Sequence, residues 1–356
     1  MRFKPKGRVA SLSASDPVKA AIVGLEGTRL SQAERAVLKG EAPLGVILFK
    51  RNIESPAQVR ALVDEVRAAF GREDAPVLID QEGGRVARLG PPHWRPLPPL
   101  AAIGALYAAD PAAAQAAAHL HSRLLAHELT GLGIDVDCAP VLDVPVEGAH
   151  DVIGDRAFAS DPAVVARLGA ASLQGFRTGG VIAIVKHIPG HGRAFADSHL
   201  ALPDVDAAAD VLAASDFVPF QACADAPMAM TAHVRYRALD GDQPATTSPQ
   251  LITEVIRTQI GFDGVLISDD LCMQALCGTP GERAAAALQA GCDLVLHCNG
   301  VLDEARDVLG RTPVLSGAAW RRWQAARAWP AQPAMDFDAQ EGYARLHEWL
   351  GTERIA

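Results

Sequence analysis

The stretch KHIPGHGRAFADSH, residues 186–199, places three histidines, a lysine and an aspartate within fourteen residues, punctuated by Pro189, Gly190 and Gly192. It is too polar for a core segment and too rich in titratable groups for an ordinary turn. Gly190 and Gly192 supply the backbone freedom of hinge points. Asp197 and His199 are two positions apart, and on an extended segment such residues face the same side. The carboxylate can then reach the imidazole, select its tautomer and raise its pKa. A histidine held in that way gives and takes protons near neutral pH.

Three further segments carry groups of the same kind. In GVLISDDLCM (264–273), Asp269 and Asp270 directly follow an apolar run. A carboxylate in that position suits a nucleophile, a general base or a metal ligand, while its neighbour caps the next helix. DQEGGRVARL (80–89) sets Asp80, Glu82, Arg85 and Arg88 around a Gly-Gly turn. Carboxylates accept two hydroxyl hydrogen bonds from a sugar, and a nearby arginine completes a clamp. VIGDRAF (152–158) presents Arg156 similarly, and Lys186 and His187 end another apolar run.

Eight short apolar runs must position these groups: 21–27, 45–49, 76–80, 134–140, 181–187, 227–233, 264–270 and 292–298. Near-continuous apolar runs fit parallel strands covered on both faces. Helical stretches lie between them, including 56–70, 110–133 and 248–261, with Ser55–Pro56, Asp161–Pro162 and Ser248–Pro249 as start signals. The alternation predicts an α/β fold, a single (β/α)8 barrel, with a doubly wound open sheet as the second choice. No Pro/Gly/Ser-rich linker divides the chain, so residues 1–356 read as one barrel domain, with its core over about 20–310. The stretch after about residue 311 carries four of the five tryptophans and reads as one or two structural helices on the outside of the barrel. Barrel enzymes build their sites at the carboxyl ends of several strands, where Asp80, Lys186, His187, His233, Asp269 and Asp270 all fall.

The chain has 356 residues, 49% apolar and 21% charged, with a net charge of −9 from 42 acidic and 33 basic residues. That balance is ordinary for a globular enzyme and argues against nucleic acid or an anionic membrane as the main partner. The amino-terminal stretch has no uninterrupted apolar run before a cleavage-like site, and no run elsewhere reaches membrane-spanning length. The six cysteines form no CxxC pair, which suits free thiols in a reducing compartment and predicts a cytoplasmic protein.

Taken in order, LFKRNI (48–53), DQEGGRVARL, VIGDRAF, KHIPGHG with DSHLALP (186–192 and 197–203), TAHV (231–234) and GVLISDDLCM resemble glycoside hydrolase family 3, the bacterial cytoplasmic β-N-acetylglucosaminidase type. The resemblance implies a retaining exo-enzyme. Asp269 then matches a nucleophile that forms a covalent glycosyl-enzyme, and His199 matches an acid/base paired with Asp197, where most retaining glycosidases use a second carboxylate. Asp80, Arg88, Arg156, Lys186 and His187 match residues that hold N-acetylglucosamine. The implied substrate is a cell-wall muropeptide, N-acetylglucosaminyl-1,6-anhydro-N-acetylmuramyl peptide, taken by a monomer with no metal and no cofactor. The chain departs from the family pattern at Ile188, at Cys272, where serine is common, and at Arg193, where acidic or small residues are common. Ile188 and Cys272 bear on packing, and Arg193 on loop mobility or the leaving-group side.

Two other readings compete. A metal-dependent hydrolase would draw ligands from His187, His191, His199, His233 and Asp269. It fits poorly, because the HLH at 119–121 falls inside a helical stretch where positions i and i+2 diverge. A non-catalytic sugar-binding protein would lack the nucleophile or the acid/base, and both residues are present.

Overall fold

The computed structural model describes residues 17–198, 200–331 and 337–351. Eight parallel strands follow one another around a closed barrel: β1 (Lys19–Gly24), β2 (Pro43–Leu48), β3 (Val77–Ile79), β4 (Val136–Asp137), β5 (Ile182–Ile188), β6 (Met228–Thr231), β7 (Val265–Asp270) and β8 (Leu294–His297). Closure is direct, since Val23 of β1 is paired with Val46 of β2 on one side and with His297 of β8 on the other. The open sheet is thereby excluded. Each predicted apolar run supplies one strand.

Strand alternation sorts the apolar residues into two cores. Ile22, Leu78, Val136, Ile184, Met230, Ile267 and Leu296 fill the barrel interior. Their neighbours Val23, Val77, Val185 and Ala229 face the surrounding helices. Helix starts follow the predicted signals. Ser55 and Asp161 cap helices that begin with Pro56 and Pro162, and the Ser248 hydroxyl accepts from Leu251 N–H.

The tail corrects one expectation. Helix Gly317–Ala328 does not lie on the barrel's outside. Its Trp323, 2% exposed, packs with Val18, Leu315 and the interior strand residues and closes the amino-terminal opening. Helix Ala339–Leu350 does pack outside, where Tyr343 donates its hydroxyl to Glu128 at 2.6 Å on helix Pro111–Leu132.

Candidate active site

The site is the uppermost layer of the barrel interior. Two residues beyond the interior Leu78, Ile184 and Ile267 stand Asp80, Lys186 and Asp269, so the alternation that buries the leucine and isoleucines aims the charged groups into the barrel mouth. Register slips on β5 between Lys186 and Ile188 and on β7 between Ile267 and Asp270 fall at this end, where irregularities re-aim side chains. A cavity of about 360 Å³ opens there. It is lined by seven of the predicted residues: Asp80, Arg88, Arg156, Lys186, His187, Asp197 and Asp269. The eighth, His199, lies outside the described residues.

One wall is a buried cage of two carboxylates and three cations. Lys186 Nζ lies 2.9 Å from Asp80 and 2.6 Å from Glu82. Arg156 grips Glu82 with two bonds, 2.8 and 2.9 Å, and Arg88 reaches Asp80 at 3.1 Å. Burial alone would raise the Glu82 pKa, but Lys186 and Arg156 outweigh it and bring it down to about 2. Asp80 is held below its ordinary value by Lys186 and Arg88 against the same burial penalty. Glu82 sits within a quoted motif, yet its place at the centre of the cage shows only in three dimensions. Arg85 turns outward, to Asp155 at 2.7 Å.

A second acid escaped the sequence reading. Asp143 is fully buried and accepts from the backbone N–H of His187 (3.1 Å) and of His191 (2.7 Å), while its other oxygen lies 2.7 Å from His187 Nδ1. Despite burial, the two histidines hold its pKa below the ordinary value. An ionised carboxylate only accepts, so His187 Nδ1 carries a proton. The one available signal was a lone acid in the apolar stretch APVLDVP (139–145), since a buried aspartate needs several donors.

Asp269 is differently placed. Its Oδ1 accepts the backbone N–H of Asp270 at 2.8 Å. Among the described residues, no lysine or arginine is paired with it. Burial would raise its pKa, but the fields of His187 and His233, the Asp270 N–H and Lys186 keep it below the ordinary aspartate value. His233 Nε2 faces the Asp270 carbonyl at 3.1 Å, so that nitrogen is the donor. Desolvation lowers the His233 pKa, and the neutral ring accepts at Nδ1 from Thr246 Oγ1 at 2.7 Å. These commitments leave His187 Nδ1 and both His233 nitrogens poorly suited to hold the metal of the rival reading.

The loop after β5 differs from the expected extended hinge. The Asp197 carbonyl accepts from Leu200 and Ala201 N–H at 2.9 and 3.1 Å, the pattern of a turn, so the same-side argument for positions 197 and 199 does not hold. Gly190 has φ +138°, which favours glycine. Gly192 is there for space, since a Cβ would stand 2.0 Å from the Val144 carbonyl oxygen. Arg193 anchors the loop to the buried Asp216 at 2.6 Å. Ser198 ties it to His191 (3.2 Å) and, through its carbonyl, to Ala275 N–H (3.2 Å). Phe195 and Leu200 remain exposed.

Residues 11–313 match the family model described as the glycosyl hydrolase family 3 N terminal domain. The chain belongs to glycosyl hydrolase family 3. Within this family it is 46% identical over 282 residues to a β-hexosaminidase of Alkalilimnicola ehrlichii, covering 78% of this chain and 80% of that protein. It is 42% identical to a β-hexosaminidase of Stenotrophomonas maltophilia, covering 93% of this chain and 98% of that protein. Among solved structures it resembles NagZ from Neisseria gonorrhoeae in complex with N-trifluoroacetyl-D-glucosamine. The TM-score is 0.75 at 36% identity, over 88% of this chain and 96% of that one. This family 3 chain is therefore a glycoside hydrolase, and the barrel mouth is where its polar groups converge.

Proposed function

We propose that the chain is a retaining exo-β-N-acetylglucosaminidase that removes terminal N-acetylglucosamine from muropeptides during cytoplasmic recycling of the cell wall. The observation that carries this reading is the contrast between the carboxylates. Asp80 and Glu82 are neutralised by three cations, whereas Asp269 is ionised, held by one backbone N–H and directed into the cavity. Asp269 attacks the anomeric carbon and forms the glycosyl-enzyme. Asp80, Arg88, Arg156, Lys186 and His187 bind the sugar hydroxyls. The Asp197–His199 pair protonates the departing oxygen, and the same imidazole then deprotonates the water that releases the sugar. The relatives named β-hexosaminidase support the sugar. Six free cysteines support a reducing compartment. That one chain supplies every group lining the cavity supports a monomer.

Release of p-nitrophenol from its β-N-acetylglucosaminide, by wild type and Asp269→Ala with and without EDTA, tests the reading. Wild-type turnover that ignores EDTA and disappears in the variant is expected. Loss to EDTA, or survival in the variant, contradicts it. Chromatography of a muropeptide digest tests the natural substrate, with N-acetylglucosamine and the anhydromuramyl peptide as the expected products.

A further inference from the structure

β7 continues past Asp269 into Asp270 and Cys272, and β8 delivers His297 alongside. Cys272 Sγ lies 3.2 Å from His297 Nδ1. Together with a carboxylate oxygen of Asp270, the three ligating atoms lie within 4.8 Å of one another. Tetrahedral zinc bonds of about 2.0–2.3 Å set ligand atoms roughly 3.3–3.8 Å apart. The sulfur and nitrogen already stand at about that spacing, and the remaining gaps close with shifts on the order of 1 Å. Thiolate, imidazole and carboxylate together form a borderline-soft donor set that suits Zn²⁺ and disfavours Mg²⁺ or Ca²⁺. We propose that Asp270, Cys272 and His297 form a three-ligand Zn²⁺ site whose fourth position takes water.

The surroundings of each ligand fit that role. The Asp270 carboxylate is held in place by the backbone N–H groups of Cys272 and Cys298, each 3.0 Å from Oδ1. His297 is fully buried, and its Nε2 has no hydrogen bond. The Glu304 carboxylate stands 3.7 Å from that nitrogen and is itself fixed by Asn299 at 2.6 Å. A ligating histidine directs its second N–H to such a carboxylate, which sets the tautomer. With the proton on Nε2, the Nδ1 lone pair faces Cys272. Desolvation lowers the His297 pKa and keeps the ring neutral, as a ligand must be. Burial and the neighbouring Asp270 push the Cys272 thiol up to about 12, so the ion displaces a proton from sulfur and binds more tightly as pH rises. The site uses none of the groups assigned to hydrolysis, although Asp270 N–H donates to Asp269.

Titrating the metal-free, reduced full-length protein with Co²⁺ tests the proposal, because a thiolate bound to Co²⁺ gives a near-ultraviolet charge-transfer band. One equivalent should produce the band and release a proton, and Zn²⁺ should abolish the band. Cys272→Ser should lose the band while keeping hydrolysis in metal-free buffer, which shows that it is folded. Glu304→Gln should bind about 10-fold more weakly, and Cys277→Ser, at an exposed thiol, should behave as wild type. Absence of the band in wild type overturns the site, as does its persistence in Cys272→Ser.

Discussion

A carboxylate attacks an anomeric carbon only when ionised, and Asp269 stays ionised without a cation in contact. Its charge is sustained by the fields of His187 and His233 and by one backbone N–H, against the cost of burial. The sign for activity follows. Because its folded pKa is below the ordinary value of about 3.9, the acid limb of kcat/KM set by Asp269 should lie below pH ~4. Removing the largest favourable field with His187→Gln should move that limb to higher pH, as read from a pH–rate profile. An unmoved limb would mean that another group controls it. Asp80, Lys186 and Asp269 were legible in the sequence because each closes an apolar run. Asp143 and the central role of Glu82 were not, since a residue that acts through buried partners leaves no local pattern.

At the scale of elements, strand alternation aims the site and the loop after β5 covers it. All eight strands could be read from the sequence because parallel strands buried on both faces are continuously apolar. The loop was misread as extended because glycines and proline signal a break without specifying its shape. Arg193, unusual for the family, is the loop's anchor on Asp216, whose buried carboxyl is pushed up by desolvation while Arg193 pulls it down. Arg193→Ala should leave Asp216 without its partner and loosen the segment that carries Asp197. We expect faster limited proteolysis near residues 193–200 and a change in kcat and KM together, as for other closing loops. Unchanged proteolysis would assign the anchoring to Ser198 and its contacts.

At the scale of the whole molecule, the barrel floor and the charged cage both contribute to stability. Trp323 plugs the amino-terminal opening, a role that composition could not assign because a tryptophan-rich tail reads equally well as an external helix. Trp323→Ala should cost about 3–5 kcal/mol in urea denaturation. A loss below about 1 kcal/mol would mean that the floor is closed by other groups. The cage makes stability pH-dependent. With Glu82 at about 2 in the folded protein against an ordinary 4.5, its stabilisation is complete above about pH 4.5 and is lost as pH falls through 2. The difference corresponds to on the order of 3 kcal/mol. Glu82→Gln should flatten the fall in unfolding free energy between pH 5 and 2, and an unchanged slope would place the acid sensitivity elsewhere.

The central claim is that Asp269 forms the covalent intermediate. Its most direct test is peptide mapping by mass spectrometry after incubation with an activated 5-fluoro-N-acetylglucosaminide, which accumulates the glycosyl-enzyme. The account predicts one sugar adduct, on the peptide containing Asp269 and at that residue. Turnover with no adduct, or an adduct on Asp80 or Asp270, would contradict it.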